Sequence, residues 1–159
     1  MAETDRKSFS LHIKKLEDVM PLISEGLMSG HCITFSPKGH SMLPLLREGK
    51  DTVTLSSIEG EIKKYDICLY QRRDGKYILH RVVKTGDSYT CLGDNQYVLE
   101  GGLKREQFIA VVTEFTRDGN QIPITSLGYK IYCRLLYYSR PIRHFFFRVR
   151  RKLKLLFSK

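Results

Sequence analysis

Three short segments carry the residue types that hydrolytic chemistry needs: Gly39-His40-Ser41-Met42-Leu43-Pro44, Leu79-His80-Arg81-Val82-Val83 and Gly93-Asp94-Asn95-Gln96. A serine hydroxyl is a poor nucleophile until a neighbouring base takes its proton, and an imidazole with an unperturbed pKa near 6.5 can do so at neutral pH. Read singly, each segment also has a plain structural explanation. A serine after glycine is an ordinary turn residue, His80 falls on the strand face of Ile78 and Val82 where a core histidine would sit, and Gly-Asp-Asn is a common turn.

The elements that must position these residues are short strands. His31–Ser36, Asp51–Ser57, Tyr65–Gln71, Lys76–Lys84, Ser88–Gly93 and Phe108–Arg117 are rich in Ile, Val, Thr, Tyr and Cys and are separated by turn residues. Asp74-Gly75 and Asp118-Gly119 are hairpin signals, the second leading into Gln121–Ile124. The spacing predicts a mainly β fold, a coiled sheet or partly open barrel. Ahead of it, Ile13, Leu16, Val19/Met20, Ile23 and Leu27 recur at helical spacing and predict an amphipathic helix ending near Gly26–Gly30, with Pro21 favouring a kink or a start near Asp18.

Charge divides the chain unevenly. All 17 acidic residues lie before Tyr129, balanced there by 17 basic ones, whereas Tyr129 to Lys159 holds 10 basic residues and no acid. A neutral body argues against a nucleic-acid-binding domain, which needs Lys and Arg over its docking face. From Pro141 onward, Ile142, Phe145, Phe146, Val149, Leu153, Leu156 and Phe157 fall in one helical sector, with Arg143, Arg148, Arg150, Arg151 and Lys154 outside it. Such a basic amphipathic helix suits an anionic membrane surface, and Arg143, Phe146, Arg150, Arg151 and Lys154 are its candidate contacts. The alternatives are packing on the body, a protein partner or nucleic acid. The tail reads as separable, so removing Pro141–Lys159 is expected to end membrane binding and leave cleavage of a soluble peptide intact. No apolar run reaches about 18 residues and no secretory signal opens the chain, so the expected place is cytoplasmic, peripheral on the inner membrane face. Cys32, Cys68, Cys91 and Cys133 lack Cys-x-x-Cys spacing and read as small core residues of a reducing compartment; no metal or cofactor is expected.

The order of the three motifs resembles the serine peptidase superfamily that includes signal peptidase I and the self-cleaving SOS-response repressors. Ser41 falls on the nucleophile of the Gly/Ser-x-Ser-Met-x-Pro segment, and His80, before Arg81-Val82-Val83, stands where many members carry a lysine. The resemblance is therefore to the histidine branch of the signal peptidases, which also carries a downstream Gly-Asp-Asn, here Gly93-Asp94-Asn95, and it covers roughly residues 31–116. It implies that His80 is the base, that Asp94 orients it through the far ring nitrogen, and that backbone N–H groups at the Ser41 turn, Met42 included, hold the oxyanion, with Gly39 permitting close approach. Many members have serine at the Gly39 position, whose hydroxyl assists the oxyanion hole. The family's Gly-Asp pairs read Gly49-Lys50-Asp51 and Tyr65-Asp66 here, differences taken as structural.

On this reading residues 1–30 form an N-terminal helical arm, 31–127 a β-rich peptidase domain and 128–159 the tail. The expected activity is a Ser-His endopeptidase acting on an extended peptide or leader with small residues before the scissile bond. The alternatives are a self-cleaving regulator of the repressor type and a catalytically idle β-module that tethers a partner at membranes. His40, Lys84, His31, His12 and His144 are read as exposed or packing residues. With His80 near its reference pKa, cleavage is expected to decline as pH falls through about 6–7.

Overall fold

A computed structural model describes residues 9–11 and 16–157 of the chain, with side chains from Leu16 to Val149. Nine strands, β1 (Phe9–Leu11), β2 (Ile33–Phe35), β3 (Val53–Ser56), β4 (Ile67–Gln71), β5 (Tyr77–Lys84), β6 (Tyr89–Leu92), β7 (Glu100–Leu103), β8 (Phe108–Arg117) and β9 (Asn120–Pro123), form a single sheet. Its order is β1-β2-β3-β8-β4-β5-β6-β7, with β9 added on β8. Every pairing is antiparallel except β1 with β2. The sheet is not closed: β1 and β7 lie at opposite ends of the path. Mainly β structure with helices at both ends is what the residue pattern predicted, but the barrel is an open sheet.

The helices are α1 (Leu16–Met28), α2 (Leu127–Tyr138) and α3 (Arg140–Phe157). Helix α1 carries Pro21 inside it and buries Met20, Ile23 and Leu27. Those three pack in one core with Ile33 and Phe35 of β2, Val53 and Leu55 of β3, and Ala110, Val112 and Phe115 of β8. Tyr129 and Cys133, the inward residues of α2, join the same core. Gly26 lets α1 approach β2, because a Cβ there would sit 2.5 Å from Ile33 Cδ1. Ser126 caps α2 through its hydroxyl, which accepts from Tyr129 N–H.

A second cluster lies under the other part of the sheet, with Cys68, Tyr70, Val82, Cys91, Leu103 and Phe108. Cys68 and Cys91 are thus packing residues, and burial pushes the Cys91 thiol up to about 12. Residues Ile13 and His12 lie outside the described residues, as do the side chains of Arg150, Arg151, Leu153, Lys154, Leu156 and Phe157.

Candidate active site

Strand β5 is the frame of the site. Side chains alternate along it, so His80 and Arg81 project to opposite faces of the sheet. His80 is buried and lies opposite Cys68 on β4, with Tyr70 two residues further along the same face of that strand. Glu100 of β7 pairs with Cys91 of β6, which pairs with Val82, so alternation carries Glu100 to the His80 face as well.

A chain of contacts results on that face. Arg72 grips Glu100 with two hydrogen bonds, Nε to Oε1 at 2.6 Å and Nη2 to Oε2 at 2.5 Å. Tyr70 donates its hydroxyl proton to Glu100 Oε2 at 2.7 Å. Its oxygen is then left as an acceptor, and His80 Nδ1 lies 3.4 Å away, a long contact in which Nδ1–H donates. This assigns the proton to Nδ1 and the lone pair to Nε2, the tautomer that a general base requires. Burial is the main influence on the imidazole and lowers its pKa to about 4, Arg72 acting in the same sense and Glu100 against it. His80 is therefore neutral at physiological pH. Burial also opposes the Glu100 charge, but the bonds from Arg72 and Tyr70 hold its carboxyl below the usual range.

The free nitrogen faces the Ser41 turn. A Cβ on Gly93 would lie 3.0 Å from His80 Nε2 and 2.7 Å from the Ser41 carbonyl oxygen, so glycine is needed there for the two segments to meet. Ser41 and His80 line one cleft of about 320 Å³, together with Leu16 and Glu17 of α1, the 35–39 segment, and Tyr77 to Leu79 of β5. No hydrogen bond joins the two side chains among the described residues; catalytic contacts of this kind commonly tighten only when substrate is bound.

The Ser41 turn is fastened from several sides. Asn95 N–H donates to the Ser41 carbonyl at 2.8 Å and Asn95 Nδ2 to the His40 carbonyl at 3.1 Å. Arg117 Nη1 donates to the carbonyls of Pro44 and Leu45. Arg47 closes the far end on Asp51 through its backbone N–H, Nε and Nη2, and those bonds hold the buried Asp51 carboxyl below its ordinary pKa. Within the turn Leu43 N–H donates to the His40 carbonyl and Leu46 N–H to Met42, while the N–H groups of Ser41 and Met42 meet no acceptor among the described residues. Two free donors flank the serine. Gly39 is needed for its φ of +89° rather than for close approach, since a Cβ there would touch nothing within 4 Å.

Asp94 is not at His80. Its carboxylate takes two 2.8 Å hydrogen bonds from Arg81, Nε to Oδ1 and Nη2 to Oδ2, with both side chains almost fully buried. Arg81 Nη1 also reaches the Tyr129 hydroxyl at 2.7 Å, Cys133 Sγ at 3.0 Å and the Tyr65 carbonyl at 3.0 Å. Burial opposes the Arg81 charge, and Asp94 more than offsets it, so the guanidinium is held well above its ordinary pKa. The orienting role expected for Asp94 is corrected by strand alternation: it pairs with the residue after His80, on the other side of the sheet.

The remaining residues lie outside the cleft. His40 is exposed, Lys84 is exposed at the far end of β5, and His144 stacks on Tyr97. Of the membrane-contact candidates with described side chains, Phe146 is exposed, whereas Arg143 turns back to the body and donates from Nη1 to the Asp94 carbonyl. Sequence reasoning missed Tyr70, Arg72 and Glu100. Comparison of the chain with protein-family models, curated proteins and solved structures returns no match.

Proposed function

We propose that this protein is a serine endopeptidase in which Ser41 is the nucleophile and His80 the base. The observation that carries the reading is the meeting of the Ser41 turn with His80 Nε2 beside Gly93, in one cleft, and the Tyr70 contact at Nδ1 supports the tautomer that accepts a proton at Nε2. Ser41 Oγ attacks the scissile carbonyl carbon and its proton passes to Nε2. The oxyanion is met by the N–H groups of Ser41 and Met42. Collapse of the tetrahedral adduct breaks the C–N bond, and His80 gives its proton to the departing amine. Water then enters and bonds to the acyl carbon as Nε2 takes its proton; the C–Oγ bond breaks and Nε2 returns the proton to Ser41 Oγ. Tyr70, tied to Glu100, takes the tautomer-fixing part first assigned to Asp94.

The cleft suits an extended substrate. Val82 exchanges hydrogen bonds with Tyr65 and Asp66 on the β4 side, so alternation turns the backbone groups of Tyr77 and Leu79 to the other side. Strand β6 pairs with β5 only from Arg81 to Lys84, which leaves the edge at Tyr77–Leu79 open to the cleft. A peptide laid there would gain backbone hydrogen bonds and carry its scissile bond toward Ser41. The resemblance to signal peptidases adds the expectation of small residues before that bond, as in the leader of a small exported or modified peptide.

The test is cleavage of a mixed peptide library by the protein and by Ser41→Ala, read by mass spectrometry. Cleavage lost with Ser41→Ala, together with phosphonate labelling of Ser41, is the expected result. Products that persist in the Ser41→Ala digest within about tenfold of the parent would remove the mechanism, since a nucleophile contributes far more.

A further inference from the structure

Helix α3 presents two faces half a turn out of phase. Arg140, Arg143, His144 and Phe147 face the body: Arg140 Nη2 donates to the Tyr97 carbonyl at 3.0 Å, Arg143 Nη1 to the Asp94 carbonyl at 3.1 Å, and the rings of His144 and Phe147 stack on Tyr97. Ile142, Phe145, Phe146 and Val149, at the same spacing two residues out of step, face away and are 61%, 63%, 65% and 38% exposed. Phe147, although stacked on Tyr97, is also 46% exposed, so the two faces are told apart by the loop contacts and the three most exposed side chains. Helix α2 likewise leaves Leu127, Ile131, Leu135 and Tyr138 exposed opposite its buried Tyr129 and Cys133.

We propose that the outer face of α3 docks on an anionic membrane surface, and that docking holds the 93–97 loop, and through it the Ser41 turn, in place. Charge selects the occupant. The segment from Tyr129 to Lys159 has 10 basic residues and no acid, with Lys130, Arg134 and Arg148 exposed. A second copy would set two such cationic segments against each other, and a nucleic acid would give four clustered apolar side chains nothing to bury in. An interface with anionic headgroups above and acyl chains below satisfies both. No helix among the described residues is long and apolar enough to cross a membrane.

The link to the site is a short chain of contacts. Arg140 and Arg143 hold the loop at Tyr97 and Asp94, and Asn95 between them holds the Ser41 and His40 carbonyls. The lipid-facing and loop-facing sets need the same helical backbone. A membrane that binds the helical form of α3 therefore stabilises both sets of contacts together. Charge alone makes the tail read as separable, whereas α3 contacts the 93–97 loop through Arg140, Arg143, His144 and Phe147. Only the consequence for catalysis rests on the proposed peptidase.

The test uses the full chain with vesicles of equimolar phosphatidylglycerol and phosphatidylcholine, or of phosphatidylcholine alone, at low salt. Sedimentation with the anionic vesicles at least about tenfold tighter than with neutral ones is expected, and Phe145→Glu/Phe146→Glu should lose it. Amide exchange at residues 93–97 should slow about threefold or more on binding, a readout independent of cleavage. Binding that is equal for both vesicles, absent, or unchanged in the double variant overturns the docking; so does self-association in place of binding. Docking without slower exchange in the loop overturns the link. If binding and loop protection hold while no peptide is cut, it is the proposed peptidase that fails.

Discussion

His80 and Arg81 are neighbours in sequence and both are buried, at 3% and 2% exposure, yet they sit in opposite chemical settings. Arg81 is charged, doubly bonded to Asp94 and further tied to Tyr129 and Cys133. His80 is neutral, joined to one hydroxyl by a long contact, with its second nitrogen beside Gly93 and the residue lining a cleft. A buried charge with every nitrogen bonded is a fastening and does no chemistry without breaking. A buried neutral base with one free lone pair costs little to keep and can accept a proton. The difference separates the residues that hold this site from those that would act in it.

The widest separation is between activity and stability. Ser41→Ala should reduce cleavage by about a thousandfold or more while moving unfolding free energy by no more than about 0.5 kcal/mol, as measured by urea denaturation. A destabilisation of several kcal/mol in that variant would mean that Ser41 belongs to the fastening side. Next comes Asp94→Ala, which leaves Arg81 charged and unpaired in the interior and should cost about 3–5 kcal/mol of stability. Were Asp94 the partner of His80, the same substitution would remove activity and leave the unfolding curve where it was. That outcome would break the comparison.

Acid should expose His80 from the other direction. Its folded pKa is about 4, below the unfolded value near 6.5, so between those limits the unfolded chain binds the additional proton. Stability should then fall as pH drops through that window, by on the order of 3 kcal/mol in total, and be insensitive to this group above it. His80→Gln should lose that share of the pH dependence, read from urea midpoints between pH 4 and 7. Cleavage should follow the same shift: kcat/KM keeps its value well below pH 6, in place of the decline through 6–7 expected from an unperturbed imidazole.

The strands were legible because β-branched runs between turn residues are strong signals, and Ser41 and His80 because their motifs are ordered. What escaped was governed by register. Asp74-Gly75 signals a hairpin without fixing its register, and a two-residue turn there would set Tyr70 opposite Leu79 and away from His80. The loop is one residue longer: Arg72 N–H bonds to the Lys76 carbonyl, Gly75 takes a φ of +85°, and Tyr70 falls opposite Ile78. That slip decides whether a tyrosine meets the histidine. Strand β7 was invisible for another reason, since Glu-Gly-Gly-Leu has no strand propensity and is held by pairing with β6. Helix α2 straddles the charge boundary, and its two buried positions, Tyr129 and Cys133, are too short a pattern to stand out from the basic segment around them.

The finest test lies within the His80 face. Glu100→Gln removes the carboxylate that favours imidazolium while leaving the Tyr70 hydroxyl a partner. If Glu100 supports His80 through Tyr70, kcat/KM should fall about tenfold, equivalent to about 1.4 kcal/mol of transition-state stabilisation. The acid limb should also move to lower pH, because Glu100 raises the His80 pKa and Arg72, then unpaired, lowers it. A merely loosened structure gives the opposite sign: water reaching the imidazole relieves its burial and returns the limb toward about 6.5. A limb that rises, or a rate that does not change, would leave Tyr70 and Glu100 as packing and reduce the site to Ser41 and His80 alone.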